Sequence, residues 1–461
     1  MKVLHIVLEF PKFKTSGGLS RYVVNLIEEQ IRMNLQVFTM QAGYFDLFKR
    51  LQIEQVAYKG NAEVYKIINP LPVAIPFGVR EPKEYMHCID EYVYMEFLLK
   101  IKPDIIHIHT IMGIHKEFFT AAEKLCIPIM YTTHDYFGLC ARTNFINQNG
   151  LLCNEVVINS CVVCNANTGV SLCLTKILQS EIYSQIKKTW MLKKIRNYGR
   201  KKILGNAVTR NHGTLETECF KCQEYEDLYD YYKIIFNTID AFHFNSTVSK
   251  AVYHKYLNNI KGKVINITHG DIIDHRTKNQ KSLHMPVRIS YIGSVLPYKG
   301  LELVIDVMDA IQKQQIFQWE LHLYGDDFSG QLAKFQGKVF AHGKYNNSQL
   351  SAIMEMLDIL IVPSICYETF GFVALEALSF GVPVLVSSYV GAKDLLRNAP
   401  VDVIFEPTKE SLFRVLINIV TEKEKYNLYS SWINKQKFPF KMIKHTEKIV
   451  DYYKEILEMK R

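Results

Sequence analysis

Two glutamates separated by seven residues stand in Pro363-Ser364-Ile365-Cys366-Tyr367-Glu368-Thr369-Phe370-Gly371-Phe372-Val373-Ala374-Leu375-Glu376-Ala377. The apolar run ending at Pro363 predicts a strand, Glu368 a loop, and Phe370-Gly371 the start of a helix that carries Glu376 about two turns in. Backbone N–H groups at a helix start attract anions, and Gly371 lets a ligand approach the backbone closely. A carboxylate beside such an anion site would not hold the phosphate. It would accept hydrogen bonds from sugar or ribose hydroxyls. Taken alone, a helix cap and a solvated helix residue explain the two glutamates as well. A second loop, Gly293-Ser294-Val295-Leu296-Pro297-Tyr298-Lys299-Gly300, follows another apolar run. Lys299 at that glycine-bounded junction is placed to meet a diphosphate, although a surface lysine in a turn is the plain alternative.

Two further loops belong to the first half of the chain. Ser16-Gly17-Gly18 follows the first apolar run, and Thr133-His134-Asp135 ends a later one. Ligands of open α/β sheets sit at the carboxyl ends of strands. His134 is therefore aimed at such a crevice, with Asp135 placed to orient its ring. His109, at the end of the preceding strand, reads as structural.

The elements that carry these loops repeat the theme of strand, glycine loop and helix. Strands are predicted at Val3–Leu8, Val37–Thr39, Asp104–His109 and Pro128–Thr132, and again at Val287–Ile292, Trp319–Tyr324, Asp358–Val362 and Pro383–Ser387. Continuous β-branched runs suit parallel strands buried on both faces. The whole reads as a doubly wound α/β pattern that restarts after Pro286. One such domain is expected over 1–275, a second over 276–440, and a helix over 441–461 that crosses back to the first. A Cys-rich and basic insertion is expected at about 138–240.

The length of 461 residues suits two or three domains, and 48% hydrophobic with 22% charged residues excludes a disordered chain. A net charge of +9 suits a phosphate-bearing ligand, an anionic membrane or nucleic acid without choosing among them. No run approaches the ~20 apolar residues of a membrane span, and the opening apolar run reads as a strand, so a cytoplasmic protein is expected.

In the insertion, Cys140, Cys153, Cys161 and Cys164 have the spacing C-x12-C-x7-C-x2-C. That set suits a tetrahedral structural zinc, and buried ordinary thiols are the alternative. Eight basic residues between Lys187 and Lys202 interleave with Trp190, Met191, Ile195 and Tyr198. The pattern suits an anionic membrane surface, with a solvated helix face as the alternative. No nucleic-acid-binding motif accompanies it, so no nucleic-acid partner is expected.

The Glu368–Glu376 motif, continued by Gly381-Val382-Pro383-Val384, resembles that of the retaining glycosyltransferases of family 4, also called glycosyl transferases group 1. The resemblance covers nearly the whole chain and is weakest at 145–240. It implies the GT-B fold, with two Rossmann-like domains facing across a cleft and a nucleotide-sugar donor between them. It implies that Glu368 contacts hydroxyls of the donor sugar, Glu376 the ribose and His134 the sugar near the reaction centre. It also implies that Gly293, Ser294, Lys299, Phe370, Gly371 and the Gly17-Gly18 loop form the donor site. Where the family often has arginine after the first glycine, this chain has Ser294, so one positive charge is missing.

The family needs no cofactor for catalysis, and a similar cysteine cluster appears in one subset of it. The implied reaction is transfer of a sugar to a saccharide or lipid-linked acceptor in bacterial surface-polysaccharide or glycolipid assembly, peripheral to the inner face of a membrane. Two other classes compete. A basic membrane- or nucleic-acid-binding scaffold could carry an inactive GT-B fold. An NAD-dependent dehydrogenase is disfavoured because no G-x-G-x-x-G follows the first strand.

Overall fold

A computed structural model describes residues 1–10, 18–56, 60–74, 78–166, 176–180, 183, 215–276, 281–328, 335 and 337–460, without the side chains of 215–220. The chain divides into two compact units. The first takes in Met1–His243, Tyr253–Lys263 and Thr446–Arg461, and the second takes in Phe244–Val252 and Val264–His445.

The sheet of the first unit is built from β1 (Lys2–Val7), β2 (Gln36–Ala42), β3 (Gln52–Val56), β4 (Glu63–Ile68), β5 (Ile105–Ile108), β6 (Ile129–Thr132), β7 (Ala241–Phe244) and β8 (Gly262–Val264). Their order is β3-β4-β2-β1-β5-β6-β7-β8. The β3–β4 pair is antiparallel, whereas β4, β2, β1, β5, β6 and β7 pair in parallel. Strand order therefore reverses between β1 and β5, and the loops after those two strands flank the crevice where ligands of such sheets bind. The helices are α1 (Gly18–Arg32), α2 (Tyr92–Ile101), α3 (Lys116–Lys124), α4 (Ile158–Ala166), α5 (Leu215–Asn237) and α6 (Thr247–Tyr256). Helix α1 buries Tyr22, Val23, Leu26, Ile27 and Gln30, the stripe expected of an amphipathic helix on a sheet.

The second unit repeats the plan with β9 (Val287–Ile292), β10 (Trp319–Tyr324), β11 (Val339–Gly343), β12 (Ile359–Val362), β13 (Val384–Ser387) and β14 (Ile404–Phe405). The order β11-β10-β9-β12-β13-β14 is all parallel, and it reverses between β9 and β12. Helices α7 (Leu301–Gln314), α8 (Leu350–Met356), α9 (Phe372–Ser379), α10 (Lys409–Thr421) and α11 (Lys423–Lys435) follow, and α12 (Met442–Met459) belongs to the first unit from Thr446 onward. One core joins Ile289, Tyr291, Val304, Met308, Leu321, Leu360, Val384 and Leu416. Continuous apolar strands such as Ile359–Val362 are buried along their whole length, as a central parallel strand requires. No helix among the described residues is long and apolar enough to cross a membrane.

Candidate functional site

The reversal point of the second sheet puts two loops side by side, the one after β9 and the one after β12. They are wedged together by backbone. Gly300 sits at φ +78°, and a Cβ there would lie 2.0 Å from the Pro363 carbonyl oxygen, so only glycine fits. The Ile365 N–H donates to the Tyr298 carbonyl at 2.9 Å. Across this seam the Lys299 ammonium donates to Glu368 Oε1 at 2.6 Å, and the Ser364 hydroxyl donates to the same oxygen. Burial works against both charges, but each holds its partner ionised. Lys299 is raised above the ordinary lysine range mainly by the Glu368 carboxylate, and Glu368 is lowered mainly by the Lys299 ammonium. About a third of the Lys299 side chain stays exposed.

The rest of the predicted donor site is built around this pair. Gly293 packs under the Tyr291 ring, whose hydroxyl donates to the Ser294 carbonyl at 2.6 Å. Asp326 accepts the Val295 N–H at 3.2 Å, which makes it a turn residue holding this loop. Gly371, at φ +96°, begins α9 with no side chain capping it, and an added Cβ there would meet Val390 Cγ1 at 2.7 Å and Glu368 Oε2 at 3.3 Å. The ring of Phe370 is buried against Phe372, and its carbonyl accepts the Ala392 N–H. Phe370 thus anchors the loop with its side chain and leaves only backbone to a ligand. Cys366, inside the motif, is buried, and burial first, and then Glu368, push its thiol up to about 12, which disfavours the thiolate.

Glu376 has a partner that the sequence reading missed. His269 Nε2 lies 3.3 Å from Glu376 Oε1, and the Asp271 N–H donates to His269 Nδ1, so the ring proton sits on Nε2. The signal was present, because Thr268-His269-Gly270 ends an extended segment much as Thr133-His134 does. Ser246 and Thr247 were missed as well. Ser246 Oγ donates to the Thr369 carbonyl at 2.7 Å, and the Thr247 N–H donates to Asp394.

In the first unit, Gly18 opens α1 after β1, and Gly17 lies outside the described residues. His134 follows β6, but its neighbour is not the Asp135 carboxylate. Asp135 Oδ1 accepts the Phe137 N–H at 2.9 Å in a local turn, and burial pushes that carboxyl up to about 6. His109 takes the expected place instead, with Nδ1 3.2 Å from His134 Nε2. His109 Nε2 meets His5 Nδ1 at 3.0 Å, and His5 Nε2 meets Gln30 Oε1 at 2.8 Å. The Gln30 amide nitrogen then donates to the Tyr453 hydroxyl at 3.0 Å. Burial holds these imidazoles neutral: it brings His5 down to about 4 and puts His107, His109 and His134 well below the usual histidine range.

The ligand atoms of His5, His107 and His109 lie within 4.8 Å of one another. Among the described residues this is the one such group of three, and it holds no cysteine. Cys140, Cys153, Cys161 and Cys164 are free thiols near one another. Burial, followed by the neighbouring sulfurs, pushes Cys140 up to about 12. Arg142 donates to the Cys164 carbonyl, and the Tyr229 hydroxyl reaches Cys161 Sγ. The basic residues Lys187–Lys202 lie outside the described residues.

Comparison with known proteins agrees with this fold. The family model described as "Glycosyl transferases group 1" matches residues 274–437, and the one described as "Glycosyltransferase Family 4" matches 16–152. A stretch of 115 residues is 32% identical to an uncharacterized glycosyltransferase of Methanocaldococcus jannaschii, covering 24% of this chain and 29% of that one, so the chain spans under a third of that relative. Sucrose-phosphate synthase from Thermosynechococcus elongatus superposes with TM-score 0.55 at 12% identity over 99% of both chains. Anabaena HepE, solved in complex with UDP and glucose, does so with TM-score 0.52 at 14% identity, over 99% of this chain and 100% of that one. With the two reversal-point sheets and the two matched family models, the chain belongs to the family 4-type glycosyltransferases of GT-B fold.

Proposed function

We propose that the chain transfers a sugar, with retention of configuration, from a nucleoside diphosphate sugar to a saccharide or lipid-linked acceptor in surface-polysaccharide or glycolipid assembly. The observation that carries the reading is the Lys299–Glu368 pair at the strand-order reversal of the second sheet. Lys299 offers donors to a diphosphate, and Glu368 offers acceptors to sugar hydroxyls on the same seam. The N-terminus of α9 adds backbone donors, and stabilising a leaving diphosphate in this way needs no metal. The HepE complex with UDP and glucose supports a nucleotide-sugar donor. A panel of UDP-, GDP- and ADP-sugars tests the proposal. One donor should be consumed, with NMR showing the anomeric configuration kept. An inverted product would end the retaining reading, and no turnover with any donor would favour the inactive scaffold.

Two finer points belong to the same proposal. A structural zinc on Cys140, Cys153, Cys161 and Cys164 has suitable donor chemistry but requires the sulfurs to draw together around one ion. Elemental analysis should give about one zinc per chain, as one four-ligand site requires. Cys161→Ser with Cys164→Ser should lose both the metal and thermal stability, whereas metal-free protein of undiminished stability would show ordinary thiols.

Work at an anionic membrane face rests on the basic residues between Lys187 and Lys202. The full chain should pellet with anionic vesicles at low salt and be released at high salt, because surface attraction is screened. Glutamine at Lys193, Lys194, Arg200 and Lys201 should abolish pelleting. Wild type left in the supernatant at low salt would remove the membrane from the proposal and leave the transfer reaction.

A further inference from the structure

We infer that Gln30 and Tyr453 are positioning residues that fix the tautomer of His134, putting its ring proton on Nε2 and making Nδ1 the ring's acceptor. What His134 meets rests on the transferase reading above, but the tautomer does not.

The argument follows the protons. The Gln30 amide nitrogen donates to the Tyr453 hydroxyl, so the amide oxygen faces His5 Nε2. That nitrogen must carry hydrogen. A neutral His5 then has a lone pair at Nδ1 and accepts from His109 Nε2. His109 is left with a lone pair at Nδ1, which accepts from His134 Nε2. Each neutral imidazole has one donor and one acceptor, so every link dictates the next.

The second branch closes the same way. Tyr453, having accepted from Gln30, donates to His107 Nδ1 at 2.6 Å. His107 Nε2 donates to Thr132 Oγ1 at 2.6 Å, and Thr132 donates to His243 Nδ1 at 2.9 Å.

The branch from Gln30 through His5 and His109 to His134 can run in only two senses, this one or its reverse, because each neutral imidazole has one donor and one acceptor and any mixture sets donor against donor or acceptor against acceptor. The orientation of the Gln30 amide selects between them. A metal on His5, His107 and His109 would need lone pairs on both nitrogens where His5 and His109 meet, so it would replace the hydrogen bond between those rings.

Removing the Tyr453 hydroxyl leaves the Gln30 NH2 group buried without an acceptor. Turning the amide over restores a partner for it at His5 Nε2 and orphans only a carbonyl oxygen, the less costly fault. The whole first branch then reverses, and His134 carries its proton on Nδ1. Thr132→Ser trims the packing beside His107 but keeps the hydroxyl that accepts from it, so it leaves Gln30 as it is.

The test is ¹⁵N NMR of the histidine-labelled full chain without ligand, with the His134 signals assigned from His134→Asn. Wild type and Thr132→Ser should both show protonated Nε2 and bare Nδ1, and Tyr453→Phe should show the opposite. If Tyr453→Phe does not fold, Gln30→Met removes the same bias and should also invert His134. A His134 proton on Nδ1 in wild type, or an unchanged tautomer in the inverting variant, would overturn the inference. So would stoichiometric zinc or nickel that is lost in His5→Gln.

With UDP-glucose or whichever nucleotide sugar the panel identifies, kcat/KM should fall about tenfold in Tyr453→Phe. Thr132→Ser should lose far less at matched stability. If no donor is consumed by wild type, the transferase reading fails while the spectra still decide the tautomer.

Discussion

Replacing Lys299 with methionine should lower transfer by about 10²–10³-fold, the cost of removing one group that stabilises developing charge. The protein should remain folded, because the apolar part of the side chain is kept. Glu368→Gln should cost as much in rate. The double variant should cost little more than either single one, because two groups that act as a unit are not additive.

The pair also predicts a pH signature. Glu368 is held below the ordinary carboxylate range by Lys299. Once that cation is gone, burial raises the carboxyl, and an acid at position 368 cannot accept hydrogen bonds with both oxygens. Residual activity of Lys299→Met should therefore climb with pH through a range where wild type is flat.

For stability the signs run oppositely. The contribution of Glu368 is present above the ordinary glutamate range and lost as pH falls through its lowered value. The contribution of Lys299 is present below the ordinary lysine range and lost as pH rises through its raised value. Both are at work between those limits. Near-normal turnover in either single variant would sink the site assignment.

The second large effect is expected at Gly300. Alanine there must adopt φ +78° and also meet the Pro363 carbonyl oxygen at 2.0 Å. Gly337 supplies the control, because it sits at φ +76° with nothing within 4 Å of an added Cβ. Alanine at either position pays the backbone strain of about 1–3 kcal/mol. Gly300→Ala must in addition push the Lys299 loop away from the Glu368 loop. It should therefore lose clearly more thermal stability than Gly337→Ala. Its turnover should fall by about 10²-fold, the scale expected when a catalytic group moves by an ångström. Equal melting temperatures for the two variants, with normal transfer by Gly300→Ala, would show that the wedge between the loops does not matter.

The parts of this fold that could be read in the sequence are the ones whose physics is local. Val287–Ile292 and Trp319–Tyr324 are uninterrupted strands with a glycine or turn directly after them, and their ends match the structure residue for residue. Lys299 and Glu368 stood out for the same reason, since each lies in the short loop that a buried strand must enter. Edge strands were not legible. Gln52–Val56 is half exposed, and its mixed composition carries no clear alternation. Ile404–Phe405 is two residues long.

The internal histidines were missed for a different reason. His5, Gln30 and Tyr453 meet only because a strand, a helix and a distant helix converge, and no spacing along the chain encodes that. Asp135 shows the converse error. Adjacency to His134 suggested a partnership, but an aspartate two residues before a free N–H satisfies its own turn first.

The first unit is completed by Thr446–Arg461, residues separated from the rest of it by nearly all of the second unit. A chain made from its N-terminus therefore cannot close that unit as it emerges. His5, Gln30 and His107 are synthesised early, and the hydroxyl that joins them belongs to Tyr453. While the second unit is being translated, a nascent first unit must hold an apolar sheet face and several uncommitted imidazoles open on the ribosome. Its burden is one of timing, an unfinished core that waits for the last helix and depends on shielding until that helix arrives.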